Sequence, residues 1–155
     1  MKHLVPVRVK SGHVKMPIQG KSFLDSNILL YAVDKSNPSK RQRARAVLKE
    51  LIKSGNGVVS TQVAQEFFVI ATKKLGVDPL AAKRVVELLA ELEFVILDLE
   101  LITQAIDCSI LSKISFWDAL IVVSARASGC KTLLSEDLSH AQLINGVRVH
   151  NPFKV

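Results

Sequence analysis

Short apolar runs that do not alternate with polar residues recur along this chain, each set apart by stretches of helical period, and few folds accept that pattern. The runs lie at 22–24, 58–60, 94–97, 131–134 and 147–149. A strand that is apolar on both faces needs cover on both, which a parallel sheet between two helix layers supplies. Helices are expected over 28–33, 38–54, 61–75, 79–92, 101–112 and 115–128, where apolar residues return every three or four positions. Their punctuation agrees: Asn37-Pro38 and Asp78 before Pro79 are cap-plus-first-residue signals, and Gly55 and Gly57 stop the helix before them. At 155 residues and 48% hydrophobic, the chain suits one domain with a substantial core.

Charge is unevenly placed. The formal net charge is +7, yet residues 1–21 hold five basic residues and no acidic one, which leaves the other 134 with 16 basic and 14 acidic, a net of +2. Within 1–21, apolar and polar residues alternate from Leu4 to Lys10, Ser11-Gly12 offers a turn, and Val14 and Met16 follow, so a basic strand or hairpin outside the main core is expected. A basic balance favours a polyanionic partner without naming it. Cys108 and Cys130 form neither a CxxC pair nor a Cys/His cluster, which fits a reducing interior. Apolar runs stay well short of the roughly 20 residues that span a bilayer, and a cytoplasmic protein with no membrane attachment is expected. The four histidines are scattered and no phosphate-cradling glycine loop is present, which argues against a dinucleotide or ATP enzyme.

Carboxylates are the residues out of place. Ligands of doubly wound folds bind at the carboxyl ends of strands, where Asp25 closes Ser-Phe-Leu and Asp137 follows Lys-Thr-Leu-Leu-Ser-Glu. Glu66 and Asp118 interrupt helices that are otherwise apolar, VAQEFFVIA and FWDALIVVSA. An ionised carboxylate there is costly unless a cation or hydrogen-bond donors meet it. Each has an ordinary alternative: Asp25 as the cap of the next helix, Asp118 as partner of Ser115 in a capping box, Asp137 as a turn residue, Glu66 as a helix-edge acid. Four acids brought together, with no His or Cys, suit Mg²⁺ or Mn²⁺ completed by substrate phosphates. Such ions assist hydrolysis of a phosphodiester, and without them the cluster titrates as a coupled group with at least one raised pKa.

These segments carry a resemblance. FLDSNILLYA, the Glu66 helix after Ser60-Thr61, SFWDALIVVSA and LLSED resemble, in order and over residues 22–150, the four acidic motifs of the PIN-domain nucleases, the nearest branch being the VapC-type toxins of toxin–antitoxin pairs. The resemblance implies a three-layer α/β/α fold with a mostly parallel central sheet over 22–155, preceded by the basic β arm of 1–21. It also implies a Mg²⁺- or Mn²⁺-dependent ribonuclease with Asp25, Glu66, Asp118 and Asp137 as catalytic and metal-holding acids. Asn27 and Ser135 come across as supporting residues, an antitoxin as the neutralising partner, RNA as substrate and a second copy as dimer partner. Asp137 is preferred over its neighbour Glu136 on motif spacing. The departure is the 24 residues before Asp25, longer than such domains usually carry.

Other features are weighed against plainer readings. Lys40, Arg41, Arg43 and Arg45 put four positive charges in six residues on one helix, either an RNA phosphate contact or a solvated helix face. Trp117 reads as a core residue; His140 as a surface histidine; Asp34, Asp98 and Asp107 as helix-end or surface acids. An aspartyl-phosphate phosphatase built on Asp25 lacks the second acid two residues on, since position 27 is Asn. The non-catalytic alternative is a PIN-like RNA-binding module with weak or no activity.

Overall fold

The computed structural model describes residues 20–154; the strand or hairpin expected within 1–19 lies outside them. Among the described residues the order is β1 (Ser22–Leu24), α1 (Ser26–Val33), α2 (Pro38–Ser54), β2 (Gly57–Ser60), α3 (Thr61–Lys73), α4 (Pro79–Leu88), a 3₁₀ turn (Leu89–Glu91), β3 (Glu93–Val95), α5 (Leu99–Ser112), α6 (Phe116–Ala127), β4 (Thr132–Leu134), β5 (Leu143–Ile144) and β6 (Val147–His150). The strands form one sheet in the order β3-β2-β1-β4-β6-β5. All neighbours pair in parallel except β5 with β6. The expected mostly parallel α/β architecture is therefore the one observed.

Burial explains the non-alternating runs. Phe23, Leu24, Val58, Val59, Leu133 and Leu134 are all fully buried, so the three central strands are covered on both faces. Residues Ala119 to Ala125 of α6 are buried without a break, the reason its sequence is apolar around most of its circumference.

Two strands differ from expectation. β3 covers Glu93–Val95, earlier than 94–97, and has an exposed side because it is the sheet edge. β5 was not expected: two residues are too short for a periodicity to register. Its signal was the turn, Asn145-Gly146 with φ +49° and +81°, the two-residue hairpin link that needs positive φ at both positions. Helix α4 gives way to the 3₁₀ turn after Leu88 rather than running to 92.

Strand order reverses at β1, whose neighbours lead to β2 and β3 on one side and to β4, β6 and β5 on the other. A crevice opens beyond the carboxyl ends of β1 and β4 at such a point.

Candidate active site

Asp25 leaves β1 at that crevice. Its backbone N–H still pairs with the Leu134 carbonyl of β4 at 3.0 Å, and its side chain caps α1 by accepting the Ser26 N–H on Oδ1 at 2.7 Å. The ordinary reading of Asp25 as a helix cap is thus correct for one oxygen. Oδ2 belongs to another network: it accepts Ser135 Oγ–H at 2.7 Å and Asn27 Nδ2–H at 3.3 Å. The residue is 5% exposed. Burial pushes its carboxyl up to about 6; the bonds from Ser135 and Ser26 pull it down, and the charges of Asp137 and Glu66 push it further up.

The neighbouring acids are joined to Asp25 through donors. Asn27 Nδ2 also donates to Asp137 Oδ2 at 3.1 Å, so one amide spans two carboxylates. The loop after β4 is held from both ends: Ser135 Oγ accepts the Asp137 N–H at 3.2 Å, and Asn27 Oδ1 accepts the Glu136 N–H at 3.3 Å. On the other flank, Ser26 Oγ donates to Glu66 Oε2 at 2.9 Å. Gln62, one helical turn before Glu66 on α3, donates its Nε2 to Glu66 Oε1 at 3.0 Å and to the Trp117 carbonyl at 3.2 Å. That second bond ties α3 to the first turn of α6, where Asp118 follows Trp117.

Of the six residues expected here, Asp25, Asn27, Glu66, Ser135 and Asp137 share one hydrogen-bonded network. Asp118 is half-buried at the mouth of α6, where its N–H bonds Ser115 Oγ at 3.0 Å, the cap expected of Ser115. No bond to its carboxylate exists among the described residues. Glu136 is directed elsewhere, paired with Lys40. Sequence reasoning missed Ser26 and Gln62; the spacing of Gln62 to Glu66, four residues on one helix, was the available signal. Trp117 corrects an expectation: it is 62% exposed, packed edge-on against Phe116, because the second residue of α6 faces away from the side the helix buries.

The basic run of α2 also has partners. Lys40 Nζ bonds Tyr31 Oη at 3.1 Å as well as Glu136, Arg43 Nε donates to the Pro152 carbonyl at 2.9 Å, and Arg45 Nε to the Ala32 carbonyl at 2.8 Å. His140 accepts the Asn151 N–H and is exposed. Asp34 and Asp98 stand at helix ends, as expected.

The donors of this site are oxygens only, the set that a hard divalent cation takes. Among the described residues, no three of the His, Cys, Asp and Glu side chains are grouped closely enough to hold an ion; hydroxyl and amide groups stand between the carboxylates. The chemistry of the donors fits such a cation, which would relieve the burial cost that Asp25 carries when ionised.

The sequence model of the PIN domain matches residues 22–144. This chain belongs to the PIN domain family. The nuclease reading comes with membership of that family. No curated protein matches the sequence. Among solved structures, the PIN fold seen here is similar to that of VapC20, a sarcin–ricin loop cleaving toxin of Mycobacterium tuberculosis, at 19% identity and a TM-score of 0.62 over 83% of this chain and 99% of that one. A toxin–antitoxin complex from Klebsiella pneumoniae matches at 18% and 0.66, over 87% of this chain and all of the other. VapBC2 of Rickettsia felis, bound to a fragment of its promoter DNA, matches at 20% and 0.61, over 84% and 97%. At these identities the likeness is one of fold. No helix among the described residues is long and apolar enough to cross a membrane.

Proposed function

We propose that this PIN domain is a divalent-metal-dependent endoribonuclease and the toxin of a toxin–antitoxin pair. The observation that carries the reading is the buried Asp25 carboxylate, linked on one side to Glu66 through Ser26 and on the other to Asp137 through Asn27 and Ser135. Asp25, Glu66, Asp118 and Asp137 would hold Mg²⁺ or Mn²⁺, which supplies positive charge to polarise the phosphodiester and make a water more acidic.

The chain's own residues do the positioning. Ser135 and Asn27 fix the outward oxygen of Asp25 and keep Asp137 beside it. Ser26 and Gln62 hold both oxygens of Glu66, so that carboxylate has one orientation. The bond from Gln62 to the Trp117 carbonyl keeps Asp118 at a set distance from α3. In-line hydrolysis needs this fixed geometry more than it needs any single strong group.

An antitoxin partner is supported by a neighbour of the same fold that was solved as a toxin–antitoxin complex. A second copy is supported by Leu99, Ile110, Leu111 and Trp117, all strongly exposed on or beside α5. Cytoplasmic action on RNA completes the reading.

The test has two stages. Thermal unfolding with Mn²⁺, Mg²⁺ or EDTA is expected to show metal stabilisation in the wild type that Asp118→Asn loses, since an ion that binds only the folded state raises its stability. RNA incubated with each protein is then expected to shorten only with wild type and metal; cleavage retained by both Asp25→Asn and Asp118→Asn would overturn the proposal. The dispersed carboxylates favour one alternative, a PIN-like RNA-binding module. That module would hold RNA equally in EDTA and never cut it.

A further inference from the structure

The basic run of α2 does not form one surface. Lys40 and Arg43 turn toward Glu136 and Pro152, whereas Arg41 and Arg45, one turn apart on the other side, line a cavity of about 660 Å³. Lys35, from the α1–α2 connection, and Lys74, from the α3–α4 connection, line it as well. None of these four cations makes an ion pair among the described residues, and residues 1–21 contain no Asp or Glu that would supply one.

The two acids at the cavity are already engaged locally. Asp34 Oδ1 accepts the Ser36 N–H at 2.9 Å and Oγ–H at 2.6 Å; Asp78 Oδ2 caps α4 through the Ala81 N–H at 3.1 Å. Arg45 is held in place by its Nε bond to the Ala32 carbonyl, which leaves the rest of its guanidinium fork for another acceptor. Asp34 and Asp78 offset part of this charge, Asp34 most directly through its attraction to Arg41, so four cations against two acids leave the concavity with a net positive charge that an added anion would relieve.

We infer that this cavity is a second binding site, for backbone phosphate of the RNA strand, at a distance from the acids. The inference rests on the nuclease reading for the identity of the strand. Both helices that carry the acidic network lead to the cavity: α1 runs from Ser26 to Val33, and α3 from Gln62 and Glu66 to Lys73, next to Lys74. Eight helical residues cover about 12 Å, a span that a few nucleotides bridge. A strand seated in both places is held where metal and acids meet it and again where only cations do.

The deciding experiment is fluorescence anisotropy of a labelled unstructured RNA of about 20 nucleotides, in EDTA, across a salt series. The variant is Arg41→Gln with Lys74→Gln, which spares Arg45 and its structural bond. Its control is Lys53→Gln with Lys131→Gln, two exposed cations, one in the last turn of α2 and one just before β4, towards the amino-terminal ends of the strands. We expect the cavity variant to lose roughly tenfold in affinity at low salt and its salt slope to fall by about 1.4, the value for two single-strand phosphate contacts, with the control within about twofold of wild type.

An unchanged affinity, or an equal loss in both double variants, overturns the site. Two further probes separate other occupants. Thermal stabilisation by inorganic phosphate that the cavity variant loses while its RNA affinity is kept assigns a free phosphate instead; loss of binding to poly-glutamate alone assigns an acidic protein segment. Either result overturns the RNA assignment. Cleavage is read separately: a wild type that binds with this slope and never cuts sinks the nuclease reading and leaves the cavity standing.

Discussion

Asp25 is costly to keep ionised, and that cost has a sign. A carboxyl whose folded pKa stands at about 6 binds more protons folded than unfolded between roughly pH 4 and 6. Its contribution to stability is therefore present below the unfolded value and lost as pH rises through the folded one. At pH 7.5 in EDTA, Asp25→Asn, which keeps an oxygen for the Ser26 N–H, is expected to be more stable than wild type by on the order of 2 kcal/mol, and the gap is expected to narrow through pH 6 and to close only below about pH 3.8, the unfolded value. Thermal melts across that range check it; a variant less stable than wild type at pH 7.5 contradicts it. Ser135→Ala removes the donor at 2.7 Å from Asp25. It is expected to cost about 1.5–3 kcal/mol and to move the acid limb of the RNA cleavage profile to higher pH, as seen in rates measured with Mn²⁺. At this scale the acids were legible because a carboxylate in an apolar helix or at a strand end is anomalous. Ser26 and Gln62 were not, because their roles depend on which way a short polar side chain turns.

Elements are delimited here by caps and glycines more than by propensity. Asn37, Ser60, Asp78, Asp98 and Ser115 each accept an N–H from the first turn of the helix that follows; the starts read from Asn37, Asp78 and Ser115 were placed well, whereas α5 begins at Leu99, two residues before the 101 expected without Asp98 as its cap. Ends were less legible, since α4 loosens into a 3₁₀ turn where Leu89 and Leu92 enter the core, a tertiary effect with no local signature. Gly57 shows how closely elements meet. A Cβ there would stand 2.7 Å from Leu92 Cδ2 and 3.1 Å from Leu51 Cβ. The leucine tip is able to move, but the Cβ of a buried helix residue moves only with its backbone. Gly57→Ala is expected to destabilise by about 1–3 kcal/mol, read as a lower urea midpoint with unchanged slope; an unchanged midpoint contradicts the close packing of α2 against β2. The β5–β6 hairpin was written in Asn145-Gly146, and a search for apolar runs alone passes over it.

For the whole molecule, the parallel sheet gathers the acids of the network beyond the carboxyl ends of its central strands and leaves a separate apolar surface near α5. Leu111 is 82% exposed and Ile110 69%, more apolar exposure than a lone helix face usually bears. Light scattering is expected to return about twice the monomer mass at micromolar concentration, and Leu111→Glu with Ile110→Glu is expected to return the monomer; a wild type that is monomeric throughout removes the second copy from the proposal. The fold class was legible because covered strands leave a plain mark in sequence, whereas the division of the α2 cations between two sides required the helix to be seen against its neighbours.

Asp25 serves helix and site with separate oxygens, and this bears on how such a gene would be disarmed under selection. On the proposed toxin reading, a cell poisoned by the activity is rescued by almost any change at this codon, but the survivors are not equivalent. Replacement by Asn keeps the cap on α1 and yields a silent protein still folded to engage a partner, whereas Ala also forfeits the cap, at about 1 kcal/mol. If the folded chain has a second use, such as occupying the proposed antitoxin, escape mutants retained over many generations should be enriched in Asn at position 25, and those retained only briefly should not.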